Sequence, residues 1–268
     1  MNGRVAIRNG LKRSLRAVGL LEPLQAFRQE QAERELRKQR PRGLSLFSRF
    51  ISPGDLCIDV GANVGEVTQM FLELGARVIA VEPQRENVAI LQRRFQDNTA
   101  VTVVPKGLAA SPGEHELLIC TSGDCSSMDP EYVARVSASG RLPVGEYRWD
   151  SRQTVEVTTL DRLIRQFGQP AFVKVDVEGF EYEVVRSLAA PVRALSIEFT
   201  PERFTPTFRC IEHLASLGDV EFNYTVGRSM KFALRRWVSA EAVCDVLRST
   251  SFPVWTGPAG DVYMRSRQ

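Results

Sequence analysis

From Leu56 onward, short apolar runs rich in β-branched residues recur at Leu56–Val60, Arg77–Glu82, Val101–Val104, Phe172–Asp176 and Ala194–Phe199. Amphipathic segments lie between most of them. Val67, Met70, Phe71 and Leu74 sit at i, i+3, i+4, i+7 and stop at Gly75, and Leu160, Leu163, Ile164 and Phe167 repeat the spacing before Gly168 and Pro170. That period gives each helix one buried stripe. Strand and helix in alternation predict an α/β sheet covered on both faces. Between the third and fourth of these strands the pattern predicts a hairpin arm (His115–Cys120), a polar loop (Thr121–Pro130) and a Gly/Pro-punctuated stretch (Ser137–Asp150). Inserts of this kind often shape substrate sites. Asp219–Thr225 and Asp261–Met264 read as late strands, with a helix near Glu241–Leu247 between them.

The first forty-odd residues differ from the rest. Met1–Arg42 holds eleven Lys/Arg against four Asp/Glu, so the net charge of +3 conceals a basic arm on a mildly acidic body. Leu11, Leu15 and Val18 mark an amphipathic helix, Gln29–Arg40 a second, charged one, and Pro41–Gly43 a break. The organisation expected is a basic helical extension over 1–45 and one domain over 46–268. The arm could meet an acidic partner such as an anionic membrane face or nucleic acid, or pack on the body or on a second subunit as a homodimer contact. Packing is the preferred reading.

With 43% hydrophobic and 25% charged residues, the 268-residue chain is neither disordered nor fibrous. No run of about 18 apolar residues exists to span a membrane. Glu22 and Pro23 interrupt the N-terminus before a signal-peptide core can form. The five cysteines are scattered without a C-x-x-C, which fits thiols of a cytoplasmic protein better than disulfides or zinc.

Candidate chemistry begins at Asp59-Val-Gly-Ala-Asn-Val-Gly65, a strand end running into a helix that starts near Glu66. Gly61 and Gly65 would let backbone approach a ligand at the helix's free N–H groups. Glu82 closes the next strand, where a doubly wound fold places an acid on ribose hydroxyls. A P-loop is disfavoured because no Lys follows Gly65. Asp59 and Glu66 would repel a pyrophosphate, whereas S-adenosylmethionine carries an ammonium and a sulfonium and lacks phosphate. Electrostatics therefore favour it over NAD.

Together, Asp59–Gly65, Val81-Glu82-Pro83, Thr159-Leu-Asp-Arg-Leu163 and Val173-Lys-Val-Asp-Val-Glu-Gly-Phe-Glu181 resemble the successive motifs of the FkbM family of class I S-adenosylmethionine-dependent methyltransferases. The resemblance runs from about Leu46 to the C-terminus and leaves out the arm. It implies a doubly wound, Rossmann-like seven-stranded sheet with the last strand antiparallel, and O-methylation of hydroxyls on sugars, polyketides or related metabolites. Carried over by position, Asp59, Gly61, Ala62, Asn63, Gly65 and Glu82 would form the cofactor site.

Methyl transfer needs alignment above all, and a base near a hydroxyl acceptor helps by about 10² to 10⁴. Asp176, at the carboxyl end of the fourth strand, could be that base or could hold the cofactor's ammonium; Glu178 follows on the turn. Glu181 reads as a helix-start acid. Glu198 faces the same rim, so Asp176 and Glu198 could share a divalent cation, but two carboxylates are few for an ion wanting about six oxygens, and a metal is not favoured. Lys106 and Gly107 follow the third strand, at the adenine edge. Cys120, Thr121, Asp124, Cys125, Ser126 and Ser127 could touch adenine or acceptor, or simply make turns. Asp161 reads as helix support and His115 and His213 as structural. Phe222, Tyr224, Trp237 and Trp255 could line an acceptor pocket, though such aromatics more often fill a core.

The sequence thus predicts a cytoplasmic S-adenosylmethionine-dependent O-methyltransferase acting on a small metabolite or saccharide. The rivals are a noncatalytic adaptor using the basic arm, an NAD-dependent oxidoreductase, and, less favoured, a nucleic-acid methylase. The absence of an Asn/Asp-Pro-Pro-Tyr/Phe sequence leans towards oxygen acceptors.

Overall fold

The structure, a computed structural model, describes residues 40–123, 125–140, 147–200, 204–250 and 260–267. The chain divides into compact units at 1–42 and 43–268. The basic extension expected over 1–45 therefore lies outside the described residues up to position 39. Pro41–Gly43, read as a break, are helical within 40–47. Proline ends a helix only when a backbone N–H is needed in the preceding turn.

Seven strands form the main sheet: β1 (Leu56–Val60), β2 (Arg77–Val81), β3 (Val101–Val104), β7 (Phe172–Val175), β8 (Ala194–Phe199), β9 (Val220–Tyr224) and β10 (Gly260–Ser266). Their order is β3-β2-β1-β7-β8-β10-β9. The first five run parallel, and β10 inserts antiparallel to both β8 and β9. All five parallel strands therefore end on one rim, where open α/β sheets gather ligands.

Helices cover both faces. On one, Ile58, Val173, Leu195 and Ile197 pack beneath α4 (Leu160–Phe167), α5 (Glu181–Val185), α6 (Phe204–Ser216) and α7 (Ala240–Ser249). On the other, Phe172 and Tyr263 pack with α1 (Glu66–Glu73) and residues 46–51; Phe50 stacks on both rings, at 5.1 and 6.0 Å between centroids. α2 (Arg85–Arg94) completes that face, with Leu91 and the adjoining Phe95 on Ala80. Phe222, Tyr224 and Trp237 are core or core-packed residues, while Trp255 lies outside the described residues.

A second sheet, β4-β6-β5, joins β4 (Gly107–Leu108), β5 (Gly113–Ile119) and β6 (Ser151–Thr158). The expected hairpin arm is β5, paired antiparallel with β6. Between them lies a helix that the sequence pattern did not predict, α3 (Pro130–Ser139). It is capped by the Asp129 carboxylate, which accepts from the N–H groups of Glu131 and Tyr132. Asp at the N-cap followed by Pro at N1 is a helix start. Among the described residues no helix is long and apolar enough to cross a membrane.

Candidate active site

A solvent-open cleft enclosing about 690 Å³ runs along the rim where the parallel strands end. Its wall takes Gly61 and Asn63 from the turn after β1, Glu82 and Gln84 after β2, Lys106 and Gly107 after β3, and Asp176 and Glu178 after β7. Leu117 and Met128 close it from the second sheet's side. The turns lie side by side because the strands do.

Glu82 is 5% exposed, and burial pushes its carboxyl above the ordinary range, opposed by the N–H groups of Gln84 and Asn63. Asn63 N donates to Oε2 at 2.8 Å and Gln84 N to Oε1 at 2.9 Å. The Asn87 side chain donates as well, so the carboxylate keeps one lone pair for a ligand. Asn63 itself is left-handed, at φ +49, a conformation asparagine tolerates, and its Nδ2 reaches the Gly123 carbonyl at 3.3 Å.

Of the motif residues, Asp59, Ala62 and Gly65 do not line this cleft. Asp59 is buried and accepts from Thr68 Oγ1 at 2.6 Å; burial pushes its carboxyl up to about 6. Both glycines serve internal packing. At Gly61 (φ +81) a Cβ would overlap the Asp176 carbonyl, and at Gly65 (φ +88) it would stand 2.6 Å from the Phe95 ring. Nor does Glu66 confront the cleft, since Arg94 Nη1 pairs with it at 2.6 Å. The negative charge that faces the cleft comes instead from Glu82, Asp176 and Glu178. Lys106, which lines the cleft, is paired with Glu156.

The turn after β7 carries the densest chemistry. Lys174, buried on the sheet, places Nζ 3.0 Å from Asp176 and 3.0 Å from Asp261. Burial pulls its ammonium down, but the two aspartates outweigh that and hold it well above the lysine range. Glu178 sits at φ +54. Its carbonyl accepts from Ser127 Oγ at 2.6 Å, and its carboxylate accepts from the Tyr132 hydroxyl. Glu181 Oε1 receives the N–H groups of Gly179 and Val177 at 3.0 and 3.3 Å. Glu181 is thus a loop fastener, more specific than the helix-start acid expected. Oxygens of Asp176, Glu178 and Glu198 lie within 4.8 Å of one another. Burial first, then Asp176 and Glu178, push the Glu198 carboxyl well up, which favours its protonated form.

The remaining candidates fall where the chain's packing needs them. Ser126 lines the cleft and accepts from Cys120 N at 3.0 Å, Ser127 is buried in the β7 turn contact, and Asp124 lies outside the described residues. His213 meets the Leu188 carbonyl at 3.1 Å and His115 lies edge-on to Phe180, neither in the cleft wall. Asp161 pairs with Arg165 on α4 at 2.8 Å. Sequence reasoning missed Gln84, Tyr132 and Lys174 as parts of the site; Ser127 was among its candidates, but as a possible ligand contact, whereas the structure has it fasten the turn after β7. For Lys174 a signal existed: a lone cation inside an apolar strand two residues before an aspartate.

The family model of the methyltransferase FkbM domain matches residues 59–224. No curated protein matches this chain. Among solved structures, precorrin-6y C5,15-methyltransferase from Geobacter metallireducens is similar at 12% identity and TM-score 0.43, covering 85% of this chain and 87% of that one. An rRNA methylase from Streptococcus thermophilus is similar at 10% and 0.42, covering 84% and 94%. A SAM-dependent O-methyltransferase from Thermotoga maritima is similar at 10% and 0.39, covering 85% and 66%.

Proposed function

The chain belongs to the methyltransferase FkbM domain family and is a class I S-adenosylmethionine-dependent methyltransferase; on that premise we propose that it methylates a hydroxyl oxygen of a small metabolite or saccharide. The observation that carries this reading is the set of carboxylates along the cleft, Glu82, Asp176 and Glu178. Among the described lining residues the one Lys or Arg is Lys106, already held by Glu156. A diphosphate would find repulsion there, and a sulfonium or ammonium would find partners.

The residues present fit the cofactor. Glu82 keeps a lone pair for a ribose hydroxyl, and the side chain of Gln84 keeps a buried oxygen without a protein partner. Bound there, S-adenosylmethionine would supply an electrophilic methyl carbon on a good leaving group. Asp176 and Glu178 stand at the acceptor side. Either carboxylate would be placed to take the proton that a hydroxyl acceptor gives up on methylation, and both would help orient that hydroxyl. Glu198, whose carboxyl burial and the neighbouring Asp176 push up, can donate a hydrogen bond within the cluster when protonated. A divalent cation remains outside this scheme. The scattered free thiols support a reducing, cytoplasmic setting, and we keep the basic arm as a packing or homodimer element. Neither the adaptor nor the oxidoreductase reading has an observation in its favour.

Calorimetry of the full chain with S-adenosylmethionine, S-adenosylhomocysteine and NADH tests the cofactor. Heat with the first two and none with NADH is expected, and the reverse overturns the reading. Incubating metabolite extracts with enzyme and methyl-labelled cofactor tests the acceptor: label in an O-methyl group supports the proposal, and label on carbon, nitrogen or RNA alone refutes it.

A further inference from the structure

We propose that Gln84 is a specificity-determining residue of the cofactor site, its side-chain amide reading the edge of the adenine base. The inference rests on the S-adenosylmethionine reading above. Gln84 occupies the N-cap of α2 without making a side-chain cap hydrogen bond. A helix start is better served by Ser, Thr, Asp or Asn, so the fold gains little from glutamine here. The residue is nevertheless 5% exposed, and its Oε1 has no hydrogen-bond partner among the described residues. A buried amide oxygen left unpaired is costly, and such exceptions need a reason. Its backbone N–H is spent on Glu82, which ties the residue's position to that carboxylate.

The reason lies in where the side chain stands. It lines the cleft with Asn87, beside Glu82 and on the way to Lys106 and Gly107. Strand order fixes the direction: the rims of β3, β2, β1 and β7 follow one another across the sheet. With ribose hydroxyls at Glu82 and the reacting end at Asp176, the base must extend away from β7, towards β3. That course takes it past Gln84, between the apolar side chains of Leu108, Leu117 and Met128. Flat apolar walls with one or two polar groups suit a purine.

An amide offers a donor and an acceptor side by side, and rotation about its last torsion presents either atom. Adenine offers the complementary pair, an amino N–H beside a ring nitrogen, which is why Gln and Asn pair with it in two-point contacts elsewhere. Replacing the amino group by a carbonyl sets acceptor beside acceptor on the edge that carries N7, which a single amide cannot match.

Calorimetry of the full chain with S-adenosylhomocysteine and S-inosylhomocysteine tests this. Wild type should prefer the adenine compound by about tenfold or more, as expected of a site built to hydrogen-bond the missing group. Gln84→Met, close in length and apolar, should weaken S-adenosylhomocysteine binding by about tenfold and reduce the preference to within about twofold. Equal affinity of wild type for the two compounds overturns the proposal without reference to any variant. So does a Gln84→Met protein that keeps the wild-type preference. If wild type binds neither compound, the cofactor reading fails with it; if wild type binds and only the Gln84 comparisons fail, the cofactor reading stands.

Discussion

Gly61→Ala separates two roles that a glycine in this turn can have. If the glycine merely leaves room for a ligand, alanine would weaken binding and spare stability. The structure says otherwise, because the new Cβ would overlap the Asp176 carbonyl oxygen and lie 2.9 Å from its carbon, on a backbone at φ +81. The left-handed backbone costs alanine about 1–2 kcal/mol, and forcing a methyl into packed backbone costs about 1–3 kcal/mol more. A domain of this size loses about 2–4 °C of Tm per kcal/mol, so a fall of roughly 4–20 °C is expected. Gly54→Ala supplies the control, since Gly54 has φ +88 with nothing within 4 Å of its would-be Cβ. It should show the backbone penalty alone. Thermal unfolding of both variants isolates the contact with Asp176 as their difference, and calorimetry with S-adenosylhomocysteine reads the displacement of Asp176 as weakened binding by Gly61→Ala. Equal destabilisation of the two variants would refute the contact as the source of the constraint.

Glu82→Ala should weaken S-adenosylhomocysteine at least about tenfold by calorimetry, since the N–H groups of Asn63 and Gln84 lose their acceptor along with the ligand; unchanged affinity removes Glu82 from the site. Burial pushes Glu181 up to about 7 from 4.5 and Asp59 up to about 6 from 3.8. Carboxyls with raised native values bind more protons folded than unfolded, so their contribution is full below the unfolded values and is lost as pH rises towards 7. Glu181→Gln should flatten that decline in urea titrations across pH 4–7, and an unchanged slope would count against it. Lys174→Met should cost about 3–5 kcal/mol by leaving two carboxylates without their cation; adding Asp261→Asn should restore part of it, and a double variant no better than the single one would deny the coupling.

The parallel strands were legible because they are short runs dominated by apolar, mostly β-branched residues bounded by turn residues, so β1, β3 and β8 match their expected bounds residue for residue, although of these three only β1 and β8 are deeply buried. β6 was not, because only Val155 and Val157 are buried among the polar residues of Ser151–Thr158. For α3 the signature was present in Asp129-Pro130 but masked by the Gly/Pro content that follows. In the site, acids at strand ends could be read, since topology fixes where a strand's last residue lies. What could not be read is anything decided by a contact between distant segments: that Gly61 answers to Asp176, that Arg94 silences Glu66, or that Tyr132 reaches Glu178 from 46 residues away.

That last contact limits how such an enzyme could change its acceptor. Ser127 and Tyr132 belong to the excursion between β5 and β6, yet they grip the turn holding Asp176 and Glu178. Redrawing the excursion one residue at a time would slacken the grip before any new preference emerged. Specificity in this architecture is better transplanted as a cassette, with the two gripping side chains travelling inside it.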